Sequence, residues 1–387
     1  MSSLDDRGRQ VLERVAEVWH IDSGIRWIEG EENDSPGFDW WPGDFRVSVR
    51  VNVPEGAGAD GELKVVVSTD FLKNVAVESG RFAEWVAATG AYTTSTYGLV
   101  YPSVDMVGPT PASRRLRLSS TAYVTRETIG WMPDLLAHAA LIQPINAQLY
   151  APMMPDVLGS GEPDASRPDH LRDLEFDEML DIVAKVYVPH GRGPSRWSGT
   201  DEFEIFAEQW GRSDHCFGSA DYTGMSLETP FGSESALIHF STEEEHPQLG
   251  HGLTAALKLP FVDTSLAIAK EVAALNLLEA VSWTGFPQKG CWHAIDIRPG
   301  EKAPAFTLFM PNALYRPGSV THFALWFLQR ARWVREQRYP AMQDLPLTNI
   351  PERLAAMLGE EADTGCSGEE RRLLTRLLDR FRALLDR

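Results

Sequence analysis

The stretch "GCWHAIDI", Gly290 to Ile297, and the run "PAFTLFMP", Pro304 to Pro311, decide how this sequence folds. Both runs are rich in aromatic and β-branched residues, which is typical of strands. The intervening "RPGEKA" has the residues of a turn, so the two runs predict a β-hairpin. Side chains alternate along a strand, so Cys291 and His293 point to one face and Trp292 points to the other.

Helices are predicted on both sides of this hairpin. "DTSLAIAKEVAALNLLEAVSW" precedes it, with Asp263 or Thr264 as N-cap, and "SVTHFALWFLQRARWVREQ" follows it. Further upstream, "LEFDEMLDIVAKVYV" predicts a helix. "DEFEIFAEQW", with Phe203, Ile205 and Ala207 on one face, predicts a strand, as do "SALIHFST" and "GLTAALKLPF". The predicted order is α-β-β-β-α-β-β-α.

The same order is predicted in the first part of the chain. A helix over Leu4 to Trp19 is followed by the strands "GIRWIEG", "DFRVSVRVNVP" and "ELKVVVSTDFL". A helix over Val75 to Ala88, the strands "YTTSTYGLVYPS" and "RRLRLSSTAYVT", and a helix over Glu127 to Tyr150, broken or kinked near Pro144, complete it. This duplication predicts an α+β protein with two tandem domains, each an antiparallel sheet packed with helices.

The predicted boundaries follow from a change in composition. Pro, Gly, Ser and Asp dominate residues 151–172, which we interpret as a linker between a first domain at 1–150 and a second at 173–340. Residues 341–387 form a tail that ends in an amphipathic helix, with Leu374, Leu377, Leu378 and Phe381 on its apolar stripe. That stripe packs back on its own domain or pairs with another subunit or protein, so a homodimer through this helix is one alternative.

Charge and cysteine content exclude several classes of function. The 387 residues include 55 acidic and 36 basic ones, for a net charge of −19. Such a chain is unsuited to binding nucleic acid or anionic lipid, whereas it suits a basic protein partner. Cys216, Cys291 and Cys366 lie far apart, which fits a reducing cytoplasm. The sequence has no signal-peptide pattern and no run long enough to span a bilayer.

The motifs that suggest chemistry each have a simpler interpretation. Cys291 and His293 could join His215 and Cys216 in a zinc site, or they could form a nucleophile pair. The simpler interpretation is that Cys291 is buried and acts as a small hydrophobic residue. "GAGADG" matches a dinucleotide fingerprint but precedes a strand instead of opening a helix. "STEEEHPQLGH" could hold a divalent cation, although a solvated acidic hairpin tip is the stronger interpretation. We therefore predict no metal, no cofactor and no catalytic residue.

Two tryptophans are the other candidate partner-binding residues. Trp40 and Trp41 lie in the Gly- and Pro-bounded stretch "GFDWWPGDF". Tandem tryptophans in a loop are either an exposed anchor for a partner, since tryptophan is enriched at binding hot spots, or a cover for the end of the core. The sequence leaves both alternatives open.

The element order resembles that of the YbjN and type III secretion chaperone-like superfamily, and two copies in one chain resemble its tandem, TY-Chap-type members. The residues that carry the resemblance are "EVAALNLLEAVSWTGF" with Leu275-Asn276, then "CWHAIDI", "PAFTLFMPNAL" and the helix from Ser319. It covers about Leu4 to Arg338. The resemblance implies a non-enzymatic chaperone or adaptor that binds a protein partner, in a bacterial secretion or defence system. An enzyme or small-ligand receptor with a site between the two domains is the alternative.

Overall fold

The fold is described from a computed structural model, which covers residues 6–18, 25–29, 35–52, 62–75, 103–107, 115–126, 128–169, 176–212, 216–246, 249–282 and 284–339. We call 6–169 the first half and 176–339 the second half. The first half contains α1 (Asp6–Val18), β1 (Ile25–Ile28), β2 (Gly37–Trp40), β3 (Val47–Asn52), β4 (Leu63–Lys73), β5 (Ser103–Val107), β6 (Arg115–Val124), α2 (Met132–Tyr150), α3 (Met154–Leu158) and β7 (Glu162–Pro163).

The second half contains α4 (Phe176–Gly191), α5 (Asp201–Gly211), β8 (Phe217–Asp221), β9 (Gly224–Phe231), β10 (Glu234–Ser241), β11 (Gly252–Lys258), β12 (Asp263–Thr264), α6 (Ser265–Val281), β13 (Cys291–Arg298), β14 (Glu301–Pro311) and α7 (Ser319–Arg338). A short 3₁₀ turn at Asn312–Leu314 separates β14 from α7.

Each half has one antiparallel sheet, and the two sheets share a topology. Sheet A runs β1-β2-β3-β4-β6-β5, with β7 added beside β4. Sheet B runs β8-β9-β10-β11-β14, and both β13 and β12 pair with β14. In each sheet, the first four strands pair in chain order. A hairpin follows them, and its second strand, β6 or β14, pairs with the fourth of these strands. The predicted α+β class with two antiparallel sheets is confirmed. Strand β2 in the first half and strands β8 and β9 in the second were not predicted from the sequence.

The prediction of a strand over "DEFEIFAEQW" is wrong, because this segment is helix α5. Phe203, Phe206, Ala207 and Trp210 are buried at helical spacing, whereas Ile205 is 41% exposed. The hydroxyl of Thr200 accepts a hydrogen bond from the Glu202 amide and caps the helix. Acidic residues in the first turn, which favour a helix N-terminus, were the signal in the sequence.

Several other local predictions agree with the structure. Phe45, Val47, Val49 and Val51 all lie buried, as their alternation predicts for one face of a strand. β13 and β14 form the predicted hairpin, and Gly300 in its turn has φ of +82°. In contrast, the helix predicted over Glu127 to Tyr150 begins only at Met132 and continues through Pro144, so the predicted break there is not found.

Most of the predicted linker is built into the first half. Met154 and Leu158 of α3 are buried in a core cluster that also contains Phe71 and Leu116, and β7 pairs with the end of β4. Backbone hydrogen bonds from Asp164 to Phe71 and from Ser166 to Asp44 also hold this Pro- and Gly-rich segment against the first half. Only residues 170–175 then separate the described parts of the two halves.

The two halves pack against each other along a surface that we call the seam. One continuous hydrophobic core includes Val65 and Leu136 of the first half together with Ile238 and Phe327 of the second. α2 is buried on almost all sides because it lies between the halves.

Hydrogen bonds also cross the seam. The backbone N–H and C=O groups of Thr121 and Gln288 bond each other at 3.0 and 2.9 Å, which joins β6 of sheet A to the segment that precedes β13. Lys64 Nζ donates to the Ser282 carbonyl at 2.8 Å, and the Thr284 amide donates to the Tyr123 hydroxyl at 2.8 Å. The relative position of the halves is thus held by specific polar contacts as well as by the core.

Candidate partner-binding site

Strand β8 forms one end of sheet B. It pairs with β9 from Phe217 opposite Glu228 to Asp221 opposite Gly224. Among the described residues, no strand pairs with its other side. A strand at the end of a sheet presents backbone N–H and C=O groups that can pair with another chain.

Helix α5 holds this strand in place from the core side. A Cβ atom added to Gly218 would lie 2.0 Å from the Ala207 carbonyl oxygen, and one added to Gly211 would lie 3.3 Å from the Gly218 amide nitrogen. Only glycine permits so close an approach of helix and strand. The Trp210 indole N–H also donates to the Glu228 carbonyl at 2.8 Å. Helix α5 therefore holds β8 firmly in position.

Apolar side chains are exposed around β8. Phe217 is 56% exposed, and Tyr222 in the turn after β8 is 70% exposed. Single exposed apolar residues are ordinary, but on an end strand they lie where the alternate side chains of an added strand would contact them.

Acidic side chains lie on the β8 side of α5. Glu204, Ala207, Glu208 and Gly211 are spaced at i, i+3, i+4 and i+7, so they share one side of the helix. Ala207 and Gly211 approach Gly218, which places the two glutamates towards β8. We call β8 together with this side of α5 the β8 edge.

The opposite side of α5 is fixed to the start of α7. Glu202 accepts hydrogen bonds from the amides of Gly318, at 2.9 Å, and Thr321, at 3.1 Å, at the start of α7. A carboxylate at a helix N-terminus is stabilising, although burial raises the pKa of Glu202. This contact sets the orientation of α5, and with it the direction in which Glu204 and Glu208 face.

Trp40 and Trp41 are buried, with exposed fractions of 7% and 8%. Trp40 is the last residue of β2 and contributes to the main core. Of the two alternatives, the structure therefore favours tryptophans that cover the end of the core. Neither side chain forms an exposed anchor, because Trp40 packs in the core from the end of β2 and Trp41, the residue after that strand, is buried as well. Leu374, Leu377, Leu378 and Phe381 of the tail, like Cys366 and His215, lie outside the described residues.

Cys291 and His293 lie where the strand interpretation places them. Both are buried on one face of β13, and the His293 Nε2 atom is 3.0 Å from the Thr307 hydroxyl in β14. Burial raises the pKa of the Cys291 thiol, and the Glu279 carboxylate raises it further. A thiol in this environment is a weak nucleophile. Within the described ranges, no three His, Cys, Asp or Glu side chains are arranged to hold a metal ion.

Trp292, on the other face of β13, is held by two residues of α6. The Asn276 side chain bonds both backbone groups of Trp292, at 2.8 and 2.9 Å. Glu279 accepts from the Trp292 indole at 2.9 Å and from Arg330 Nε at 2.8 Å. Asn276 and Glu279 therefore fix the hairpin to the helix.

The acidic loop between β10 and β11 divides into two parts. Glu243, Glu244 and Glu245 are exposed, in agreement with a solvated tip, but His246 turns inward and packs on Phe309 with ring centroids 5.0 Å apart. Burial lowers the pKa of His246 to about 3.

A cluster of titratable groups lies in the seam, where the alternative site was predicted. His138 of α2 is hydrogen-bonded through Nδ1 to the Tyr187 hydroxyl of α4. Lys289 is only 2% exposed, and its Nζ atom has no hydrogen-bond partner among the described residues. Burial lowers the pKa of Lys289 and of His138, and the electrostatic effects of Lys289 and His246 lower that of His138 further.

Sequence reasoning missed both the β8 edge and the seam cluster. "FGSADYTGMSLETPF", residues 217–231, alternates on both sides of an Asp-Tyr-Thr-Gly turn, which is a hairpin signal that was present but not used. The seam cluster had no local signal, because its members come from four separate segments.

Comparison with known proteins adds no relative. No protein-family model matches the chain, and neither a curated protein nor a solved structure matches it. Among the described helices, none combines the length and apolar character needed to cross a membrane.

Proposed function

We propose that this protein is a non-enzymatic adaptor or chaperone that binds an extended segment of another protein along the β8 edge. The observation that carries the proposal is an end strand, β8, whose second side pairs with no strand in the described part of the chain. It is combined with the exposed apolar side chains of Phe217 and Tyr222 and with the close packing of β8 on α5.

Strand addition explains how such an edge would work. Main-chain hydrogen bonds to an added strand supply affinity, and contacts to alternate side chains supply specificity. Because α5 is packed tightly on Gly218, the edge needs little reordering when a partner binds, which keeps the entropic cost low.

The wider setting of this function comes from the sequence resemblance. A cytoplasmic role in a bacterial secretion or defence system is part of the proposal on that basis. The net charge of −19 supports a partner of opposite charge, since complementary potentials steer association.

The test places a photo-crosslinking residue at Ser219 of β8 in the native host. Adducts are separated by mass and the attached protein is identified. Ser235, exposed on the inner strand β10, is the matched control position. We expect a discrete adduct at Ser219 and none at Ser235. The identified partner, once purified, should bind the wild-type protein and should not bind the Phe217→Glu variant. Equal labelling at both positions, or binding unaffected by Phe217→Glu, would contradict the proposal.

A second candidate function is a receptor for a small ligand in the seam. Lys289 Nζ and His138 Nε2 are both buried without a hydrogen-bond partner among the described residues. Buried polar groups are normally satisfied, so a small anionic ligand would complete this cluster. Native mass spectrometry of the purified protein tests the idea. A co-purifying molecule that is lost in Lys289→Met supports it, and a ligand-free wild type counts against it.

A further inference from the structure

We infer that the segment bound at the β8 edge alternates basic residues with apolar residues. The inference rests on the proposed function, because it specifies the partner of the same edge.

The alternation follows from the geometry of an added strand. Such a strand would lie about 4.8 Å from β8 and send successive side chains to opposite faces of sheet B. One set of side chains would lie on the side of α5, and the other would lie on the face that carries Phe217, Ser219 and Asp221, which are all exposed.

On the helix side, the added side chains would meet carboxylates. Glu204 and Glu208 are exposed on the side of α5 that approaches β8. Glu208 lies 2.8 Å from Arg212, but both side chains are more than half exposed, at 70% and 59%. Exposed ion pairs of this kind contribute little to stability, so Glu208 can leave Arg212 and pair with a basic residue of the bound segment. Lysine or arginine at alternate positions of the bound segment complements this side.

On the opposite face, the added side chains would meet Phe217 first. Phe217 is 56% exposed, whereas Glu228, its partner on β9, is one strand further from the incoming chain. An apolar side chain that covers the Phe217 ring removes apolar surface from water. Successive residues of the added strand would therefore alternate between basic side chains on the α5 side and apolar side chains on the Phe217 side.

Synthetic peptides test the pattern with the full-length protein. Three labelled nonapeptides are compared by fluorescence anisotropy: alternating Lys and Val, the same composition in two blocks, and alternating Glu and Val. We expect the alternating Lys–Val peptide to bind about tenfold more tightly than the block peptide, and more weakly as salt is raised. The Glu–Val peptide should not bind.

Paired variants locate the interaction. Glu204→Gln/Glu208→Gln should weaken binding of the Lys–Val peptide about tenfold at low salt. Glu243→Gln/Glu244→Gln, which removes the same charge from the exposed loop between β10 and β11, should change it less than about twofold. Circular dichroism confirms that both variants are folded. Equal effects of the two double variants, or equal affinity for the alternating and block peptides, would overturn the inference.

The two proposals fail in different ways. If no Lys–Val peptide binds but the Ser219 crosslink still captures a partner that depends on Phe217, the residue pattern is wrong and the adaptor function stands. If the peptide binds as expected but no protein crosslinks at Ser219 in the host, the edge recognises the pattern and the proposed adaptor function fails.

Discussion

Lys289 brings an amine into the seam, where few groups can stabilise its charge. It is 2% exposed, and burial is the main cause of its lowered pKa, with the Asp134 carboxylate acting in the opposite direction. Transferring an unpaired ionisable group into a packed interior costs several kcal/mol, either as desolvation or as loss of the proton. At this position the seam is therefore less stable than an apolar side chain would make it.

Replacing Lys289 with methionine, which has a similar length, should raise the free energy of unfolding by about 1–3 kcal/mol at neutral pH. Urea unfolding followed by tryptophan fluorescence measures the change. Lys270→Met, at an exposed position of α6, is the control and should have an effect near zero. A destabilised Lys289→Met would show that the amine has a partner that methionine cannot replace.

At the scale of elements, the contact between α5 and β8 decides whether the end strand is rigid. The helix backbone at Ala207 comes so close to Gly218 that a Cβ atom would lie 2.0 Å from the carbonyl oxygen. Because that oxygen belongs to the backbone, it cannot move aside as a side chain can. Any substitution at Gly218 must separate the helix from the strand.

Gly218→Ala should therefore destabilise the protein by about 1–3 kcal/mol through overpacking. It should also increase amide hydrogen exchange in residues 217–221, because β8 loses its support. Thermal unfolding and hydrogen-exchange mass spectrometry measure the two effects. Gly130→Ala is the matched control, since nothing lies within 4 Å of a Cβ atom at that position. If both variants are equally stable, the helix is not packed on β8 as described.

At the scale of the whole molecule, burial of histidines links stability to pH. His138, His246, His293 and His322 lie in four different elements or loops, and burial lowers the pKa of each. For His293 and His322 the pKa falls from 6.5 to about 4. The unfolded chain therefore binds more protons than the folded protein between about pH 4 and pH 6.5. Stability from these groups is fully present above pH 6.5 and is lost as the pH falls through that window.

We expect the free energy of unfolding to drop between about pH 7.5 and pH 5.5 by up to about 1.4 kcal/mol for each buried histidine. Urea unfolding at several pH values gives the slope. His322→Phe keeps a ring between Trp131 and Trp326, which it contacts in the wild type, and should reduce the slope by about one proton. His239→Gln, at an exposed position of β10, should leave the slope unchanged. A flat pH profile would contradict burial of these four side chains.

Local patterns were sufficient for the class of the fold. Alternation of apolar residues, as in Phe45 to Val51, and the turn between "CWHAIDI" and "PAFTLFMP" depend on neighbours in sequence, so they could be predicted. α5 was mistaken for a strand because Phe203, Ile205 and Ala207 satisfy a period of two, while Phe203, Phe206 and Trp210 satisfy the helical period. Which set is buried depends on packing against sheet B, and propensity does not decide between them.

By itself, the sequence determined an α+β chain with a repeated order of elements, a strand interpretation for Cys291 and His293, and a strongly acidic surface. Only the tertiary structure decided that Trp40 and Trp41 are buried, that β8 ends sheet B with Phe217 exposed, and that Lys289 is buried near His138 in the seam. The physical reason is distance along the chain. Periodicity reflects whether neighbouring residues face water or the core. The seam is formed by segments more than a hundred residues apart, as Lys289 and His138 are, and leaves no pattern within any one of them.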